Sequence, residues 1–368
     1  MKNSAMPELF TPLKINDVRF KNRIGMSPMC QYSSNDGVAS NWHMVHLCSK
    51  AVGGVGFIMT ECTAVSPTGR ISQGCAGLWD QKHAEALEPI VDFQKSFGAI
   101  AGIQISHSGR KGSAATALEG GSHLNADNTN GWDTVGPTND AFDPDGTRLW
   151  KSPQALSIEA IEEIQEQFVQ SAVLACDVGY DLLEVHCAHG YLLHSFLTPL
   201  VNKRNDKYGG DLRGRARFLL ETVAKVRKVW PERLALSVRL SVHDFVEGGL
   251  TLEDSTQIGL WLKDLGVDFL DCSGGGAVPE ARGAIGNRTA EQPDMAGIIR
   301  QSTGLAVMAV GGITDPHQAE NLISSSKADI VLLGREMMRD PHWAFNAAKT
   351  LGADTRHILA EQYGFFVG

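Results

Sequence analysis

Eight short apolar or β-branched runs, spread along almost the whole chain and separated by longer amphipathic stretches, restrict the fold most. They are RIGMSP (23–28), GFIMTECTAV (56–65), IAGIQISH (100–107), DLLEVHC (181–187), LALSVRLS (234–241), DFLDCSG (268–274), LAVMAVGG (305–312) and DIVLLGRE (329–336). Such runs suit strands, and the helix-like segments between them return the chain in the same direction, which predicts parallel βα units. The segments include NWHMVHLCSKAVGG, SIEAIEEIQEQFVQSAVLACDVG and TLEDSTQIGLWLKDLG. The last two open on Ser157 and Thr251 with glutamates soon after, as N-caps do, and end at Gly179 and Gly266, where a left-handed C-cap is easiest. Eight βα units close naturally. The expected fold is α/β, a (β/α)8 barrel, as a single domain over residues 1–368. An open doubly wound sheet is the rival, but the first βα turn carries no GxGxxG.

One interval breaks the rhythm. Residues 111–156, rich in Gly, Asn, Asp, Ser and Pro, separate the third strand from its helix. A long loop leaving the C-terminal end of a barrel strand overhangs the catalytic face, so it is expected to be a lid. Trp132 and Trp150 argue against plain disorder.

Charge and cysteine usage bound the partners. The net charge of -9 and a pI near 5.7, without any Lys/Arg run, argue against a nucleic-acid or anionic-membrane surface and leave small molecules. Seven scattered cysteines show neither a CxxC pair nor zinc spacing and read as reduced thiols. The N-terminus MKNSAMPELFTPLKIND lacks the apolar core of a signal peptide, and no stretch approaches the roughly 20 apolar residues that span a bilayer. A cytoplasmic location is expected.

In a barrel, chemistry sits at the C-terminal ends of the strands. Gln104 closes the third strand; Glu184 and His186 share a face of the fourth, and Ser237 and Arg239 a face of the fifth. Strands seven and eight end in Gly311-Gly312 and Gly334-Arg335, which bare backbone amides beside a guanidinium and suit a phosphate. Arg239 needs an anionic partner, either the edge of a flavin, which Gln104 would also reach, or an ion pair with Glu184 or Asp271. His186, His189 and Tyr191, in EVHCAHGYLLHSF, admit three readings: a metal site, a structural pair, or two neutral donors for a carbonyl oxygen with a phenol as acid. No third ligand motif supports the metal, so none is expected. A metal-dependent barrel hydrolase is kept as the alternative.

The stretches LFTPLKINDVRFKNRIGMSPMCQYS, GIQISHSGRK, EVHCAHGYLLHSFLTPLVNKRNDKYGGDLRGRARFLLE and LGREMMRDPHWA resemble the Old Yellow Enzyme family of FMN-dependent ene-reductases, in its bacterial branch of short chains. The resemblance implies bound FMN, NADPH or NADH as reductant, and an enone or nitro compound as substrate. It implies that Ser27, Pro28, Met29 and Cys30 lie along the flavin, with Cys30 near the ring, and that Gln104 and Arg239 hold the flavin edge. It further implies that Gly312, Gly334 and Arg335 bind the phosphate, beside Gly311. His186 and His189 would grip the substrate oxygen, Tyr191 would donate the proton, and Tyr32 would stand near the substrate. Hydride would pass from flavin N5 to the β-carbon. Two departures stand out. Cys62 replaces an alanine-like residue close to the flavin, where a thiol would crowd the ring or shift its potential. The tail EQYGFFVG keeps Gln362-Tyr363 but lacks the arginine or tryptophan that relatives insert into a partner subunit, which leaves Phe365 or Phe366 for that place in an expected homo-oligomer.

Overall fold

The computed structural model describes residues 6–146, 149–281 and 291–367. Each predicted run holds one strand: β1 (Ile24–Met26), β2 (Phe57–Ala64), β3 (Ile100–Ser106), β4 (Leu182–Cys187), β5 (Ala235–Ser241), β6 (Phe269–Ser273), β7 (Ala306–Val310) and β8 (Ile330–Leu333). All pair in parallel with their sequence neighbours, and β8 closes onto β1, so the sheet is a closed barrel. Every residue of β4, β5, β6 and β8 is buried, as strands covered on both faces must be.

Among the described residues, eight helices coat the barrel: α1 (Asn41–Val52), α2 (Gln81–Ser96), α3 (Ile158–Val178), α4 (Leu212–Val229), α5 (Leu252–Asp264), α6 (Gln292–Thr303), α7 (Pro316–Ser324) and α8 (Trp343–Leu351). The predicted caps are present. The Ser157 hydroxyl accepts the Ala160 N–H at 3.1 Å, and Gly179 ends α3 at φ 92°. Thr251 and Asp254 cap each other's backbone amides at the start of α5, and Gly266 follows its end at φ 79°.

A hairpin of Leu13–Ile15 and Val18–Phe20, not among the predicted strands, closes the N-terminal end. It turns at Asn16, whose φ of 52° suits asparagine. Its Phe20 packs edge-on against Phe57 and Phe269, each at 5.8 Å between ring centroids. Phe57 fits there because Gly102 beside it has no side chain: a Cβ would lie 2.5 Å from the Phe57 ring. Aromatic packing fills the floor, which leaves the opposite mouth for chemistry.

Residues beyond the strand ends add structure that periodicity does not reveal. A short helix, Leu192–Leu197, follows Tyr191 directly, and another, Arg335–Arg339, starts at Arg335. The 111–156 interval is not structureless. Val135–Gly136 pairs with Gln154–Ala155, and Trp132 donates its indole N–H to the Thr68 carbonyl. His123 and Phe142 both pack on the Trp150 ring, and Arg110 donates to the carbonyls of Asp140 and Ala141. These contacts bring the interval down over the ends of β2 and β3. Residues 147–148 of it lie outside the described residues.

Candidate active site

Strand register sets one polar layer inside the mouth. Gln104 stands beside Glu184, Glu184 beside Ser237, His186 beside Arg239, and Arg239 beside Asp271. These side chains project inward where apolar residues fill the layers below.

The two histidines end in complementary arrangements. His186 Nδ1 accepts the Ala188 N–H at 3.1 Å, which leaves Nε2 as the donor of its neutral form. His189 takes the left-handed φ of 59°, its N–H donates to Ser241 Oγ at 2.9 Å, and its Nε2 lies 2.7 Å from Ser273 Oγ. The imidazoles meet edge to face at 5.2 Å, and Tyr191 meets His186 the same way at 5.1 Å. Burial first, and then the Arg239 charge, holds both histidines well below the ordinary imidazole range, so they are neutral. Burial, with the Cys30 thiol next in effect, holds the Tyr191 phenol well above its usual value, so it keeps its proton. The arrangement offers neutral donors and an intact acid.

Arg239 answers the question of its partner in part. Its Nε lies 3.3 Å from Asp271 Oδ2, so the ion pair forms with Asp271 and not with Glu184. Glu184 instead accepts from Gln104 Nε2 and Ser237 Oγ, each at 2.8 Å. Gln104 is therefore tied to a carboxyl, with its amide oxygen left over. Burial raises both carboxyls, Glu184 the further because Asp271 is its near neighbour. Arg239 Nη1 reaches Ser27 Oγ only at 3.3 Å, and buried Nε makes no well-formed hydrogen bond, so the guanidinium retains donor capacity. An anionic edge in the mouth would use it.

The segment after β1 lies across this layer. The Ser27 N–H donates to the Leu333 carbonyl at 3.0 Å, and Met29 Sδ lies 3.4 Å from where a Cβ on Gly334 would stand. Pro28, Met29, Cys30 and Tyr32 are half-buried, and Tyr32 has a φ of 52°. Burial pushes the Tyr32 phenol up as well. Gly311 and Gly312, at φ 129° and 62°, leave the end of β7 without side chains, while Arg335 is exposed and has no ion pair among the described residues. Open amides beside an uncommitted guanidinium suit a phosphate.

Sequence reasoning missed several contributors. Lys111 donates to the carbonyls of His189 and Gly276, each at 2.6 Å, and its ammonium lies 5.7 Å from the Tyr191 ring centroid. Ser273 is legible only once Asp271 is placed inward, since two-residue alternation then puts Ser273 on the same face. Glu61 accepts the Gln31 N–H at 3.0 Å and holds His43 at 3.0 Å, which anchors the segment after β1. A cavity of about 260 Å³ opens beside Tyr32, Tyr191 and Lys111 and is roofed by Ala114, Gly121 and Trp150 of the long interval. A larger one, about 640 Å³ and lined by Lys14, Asp268 and Asp329, lies at the N-terminal end, away from these groups. Among the described residues no cluster of three or more His, Cys, Asp or Glu is placed to hold a metal, so the hydrolase alternative finds no ligand set. Among them, too, no helix is long and apolar enough to cross a membrane.

Comparison with known proteins gives this geometry its context. The model of the NADH:flavin oxidoreductase / NADH oxidase family matches residues 8–354. The NADPH dehydrogenase of Bacillus subtilis (strain 168) is 40% identical over 349 residues, 94% of this chain and 96% of that one. The NADPH dehydrogenase of Listeria monocytogenes serotype 4b (strain CLIP80459) shows the same identity and coverage. Among solved structures, morphinone reductase in complex with tetrahydroNAD superposes with a TM-score of 0.75 at 25% identity, over 95% of this chain and 92% of that one. A 2-naphthoyl-CoA reductase in complex with 2-naphthoyl-CoA reaches 0.82 at 25% identity, over 96% of this chain and 53% of that chain. The chain belongs to the NADH:flavin oxidoreductase / NADH oxidase family, of Old Yellow Enzyme type, and is an NAD(P)H-dependent oxidoreductase that uses FMN.

Proposed function

We propose that the enzyme reduces the activated C=C bond of α,β-unsaturated carbonyl compounds, and of nitroalkenes by the same route. The observation that carries this reading is the edge-to-face cluster of two neutral imidazoles and a protonated phenol. Arg239 and Gln104 would hold the polar edge of FMN, with Ser27, Pro28, Met29, Cys30 and Cys62 beside the ring. Gly311, Gly312, Gly334 and Arg335 would hold its phosphate. FMN, when bound there, would supply the hydride chemistry that links NADPH or NADH to the substrate's β-carbon.

The chain's own residues do the rest. His186 and His189 donate to the substrate's carbonyl or nitro oxygen, and those bonds strengthen as negative charge builds there. Neutral donors serve best, because each can strengthen its bond without first losing a salt-bridge partner. Tyr191 gives its proton to the α-carbon, while Tyr32 and Cys30 border the substrate. The 111–156 interval acts as a lid, excluding water from above. The exposed Phe365 and Phe366, at 86% and 81%, support a homo-oligomer in which a second subunit covers them, which sedimentation velocity would test. Seven free thiols support a reducing, cytoplasmic setting.

Replacing both His186 and His189 with alanine tests the reading. FMN content and flavin bleaching by NADPH should persist, while the enone-dependent step slows by ~10²–10³ per donor lost. An unchanged enone step would remove the histidines from substrate binding.

A further inference from the structure

Strand β2 carries a bulge where it meets β3. Thr60 pairs with Ile103 and Thr63 with Ile105, so Glu61 and Cys62 together face the single residue Gln104. A bulge breaks two-residue alternation and re-aims side chains, here two in succession. Glu61 uses its turn to accept the Gln31 N–H at 3.0 Å. Cys62 and Cys30, each one residue from that hydrogen bond, are thereby set side by side.

β1 ends at Met26, so the hydrogen bond from the Gln31 N–H to Glu61 is what brings the segment after β1 against the bulge. A disulfide needs the two Cα atoms within roughly 4.4–6.8 Å. Both thiols are free and half-buried at the barrel mouth. The Cys62 thiol, ahead of burial, also holds the Cys30 thiol well above its ordinary range. A third thiol, Cys75, is near but buried and committed, since its sulfur accepts the Ser72 N–H at 3.3 Å and lies 3.5 Å from Ser72 Oγ.

We propose that Cys30 and Cys62 form a reversible dithiol/disulfide site, a modification site that takes a two-electron oxidant of the peroxide class. Because Cys30 is held protonated, the Cys62 thiolate is the one that attacks hydrogen peroxide, giving a sulfenic acid and releasing hydroxide, which leaves as water. The second thiol displaces water from that sulfenic sulfur, and the S–S bond forms. The two thiols lose two electrons, and the peroxide O–O bond takes them. A dithiol reductant reverses the change by exchange. The bond would staple the segment after β1, including Tyr32, to β2 and remove both thiols from the FMN side of the mouth.

The test uses flavin-loaded protein treated with hydrogen peroxide, alkylated under denaturing conditions, digested and read by mass spectrometry without reduction. The expected product is a peptide pair joined through Cys30 and Cys62, lighter than the sum by two hydrogens and absent after dithiothreitol. Cys75→Ser should keep the link. Cys62→Ala should abolish it, and Cys30→Ala should abolish it and leave Cys62 as sulfenic or sulfinic acid. Separate alkylation of Cys30 and Cys62 after oxidation, or a link from either to Cys75, would overturn the proposal.

Discussion

Tyr191→Phe deletes one oxygen and leaves the packing in place. The phenyl ring keeps its edge-to-face contact with His186 at 5.1 Å, and the backbone that starts the Leu192–Leu197 helix is unchanged. No protein hydrogen bond to the Tyr191 hydroxyl occurs among the described residues, so the fold should lose less than about 1 kcal/mol. Chemistry should lose far more. Burial keeps the phenol protonated at ordinary pH, so under the proposed role its removal forfeits the whole general-acid contribution. That contribution is typically ~10²–10⁴ in rate, or about 3–5 kcal/mol of barrier. The assay is stopped-flow re-oxidation of NADPH-reduced enzyme. The variant should bleach with NADPH as the parent does and still bind phenols over the flavin, while cyclohexenone re-oxidises it more slowly by that factor. Nitroalkenes should suffer least, since their nitronate survives to take a proton from water. An unaltered cyclohexenone rate would remove Tyr191 from the mechanism and point to water or Tyr32 as the proton source.

Arg239→Ala should destabilise the fold by about 3–5 kcal/mol, because it strands Asp271 in the core, and should cut FMN occupancy. Adding Asp271→Asn separates the two effects: stability returns, but FMN should still be weakly held or shifted in potential, and a fully loaded double variant with the parental potential would make Arg239 purely structural. Glu184→Gln tests the buried carboxyl, whose native value near 8 exceeds the unfolded one of about 4.3. Folding therefore binds a proton between those values, so the parent loses stability as pH rises through that window and then levels off. In urea melts the Gln variant should gain on the parent from pH ~4 to ~8, and a pH-independent difference would mean that Glu184 is ionised throughout.

The barrel was legible because each strand lies in a short apolar run set off by longer amphipathic stretches, so all eight runs could be placed before any contact was known. The floor hairpin was not. Leu13–Ile15 and Val18–Phe20 are three residues each, too short for alternation to stand out, and only Phe20 meeting Phe57 and Phe269 explains them. At the mouth, inward-facing residues on strands could be read from period-two spacing, which brought together Gln104, Glu184, His186 and Arg239. Partner choice was less legible: Arg239 takes Asp271 and leaves Glu184 to Gln104 and Ser237, a matter of strand register that single-strand patterns do not contain. Lys111 was hidden for the same reason, since its acceptors are carbonyls on two other loops. The neighbourhood of Cys30 and Cys62 depends on a bulge, which alternation conceals.

The most direct test of the account mixes anaerobic, NADPH-reduced parent enzyme with cyclohexenone in deuterated water and follows the flavin and the product together. The account predicts that the oxidised flavin spectrum returns in full, one enone consumed per flavin, and that the saturated ketone carries deuterium at the α-carbon. A flavin that stays bleached until oxygen is admitted, or a ketone with no deuterium at the α-carbon, would contradict it.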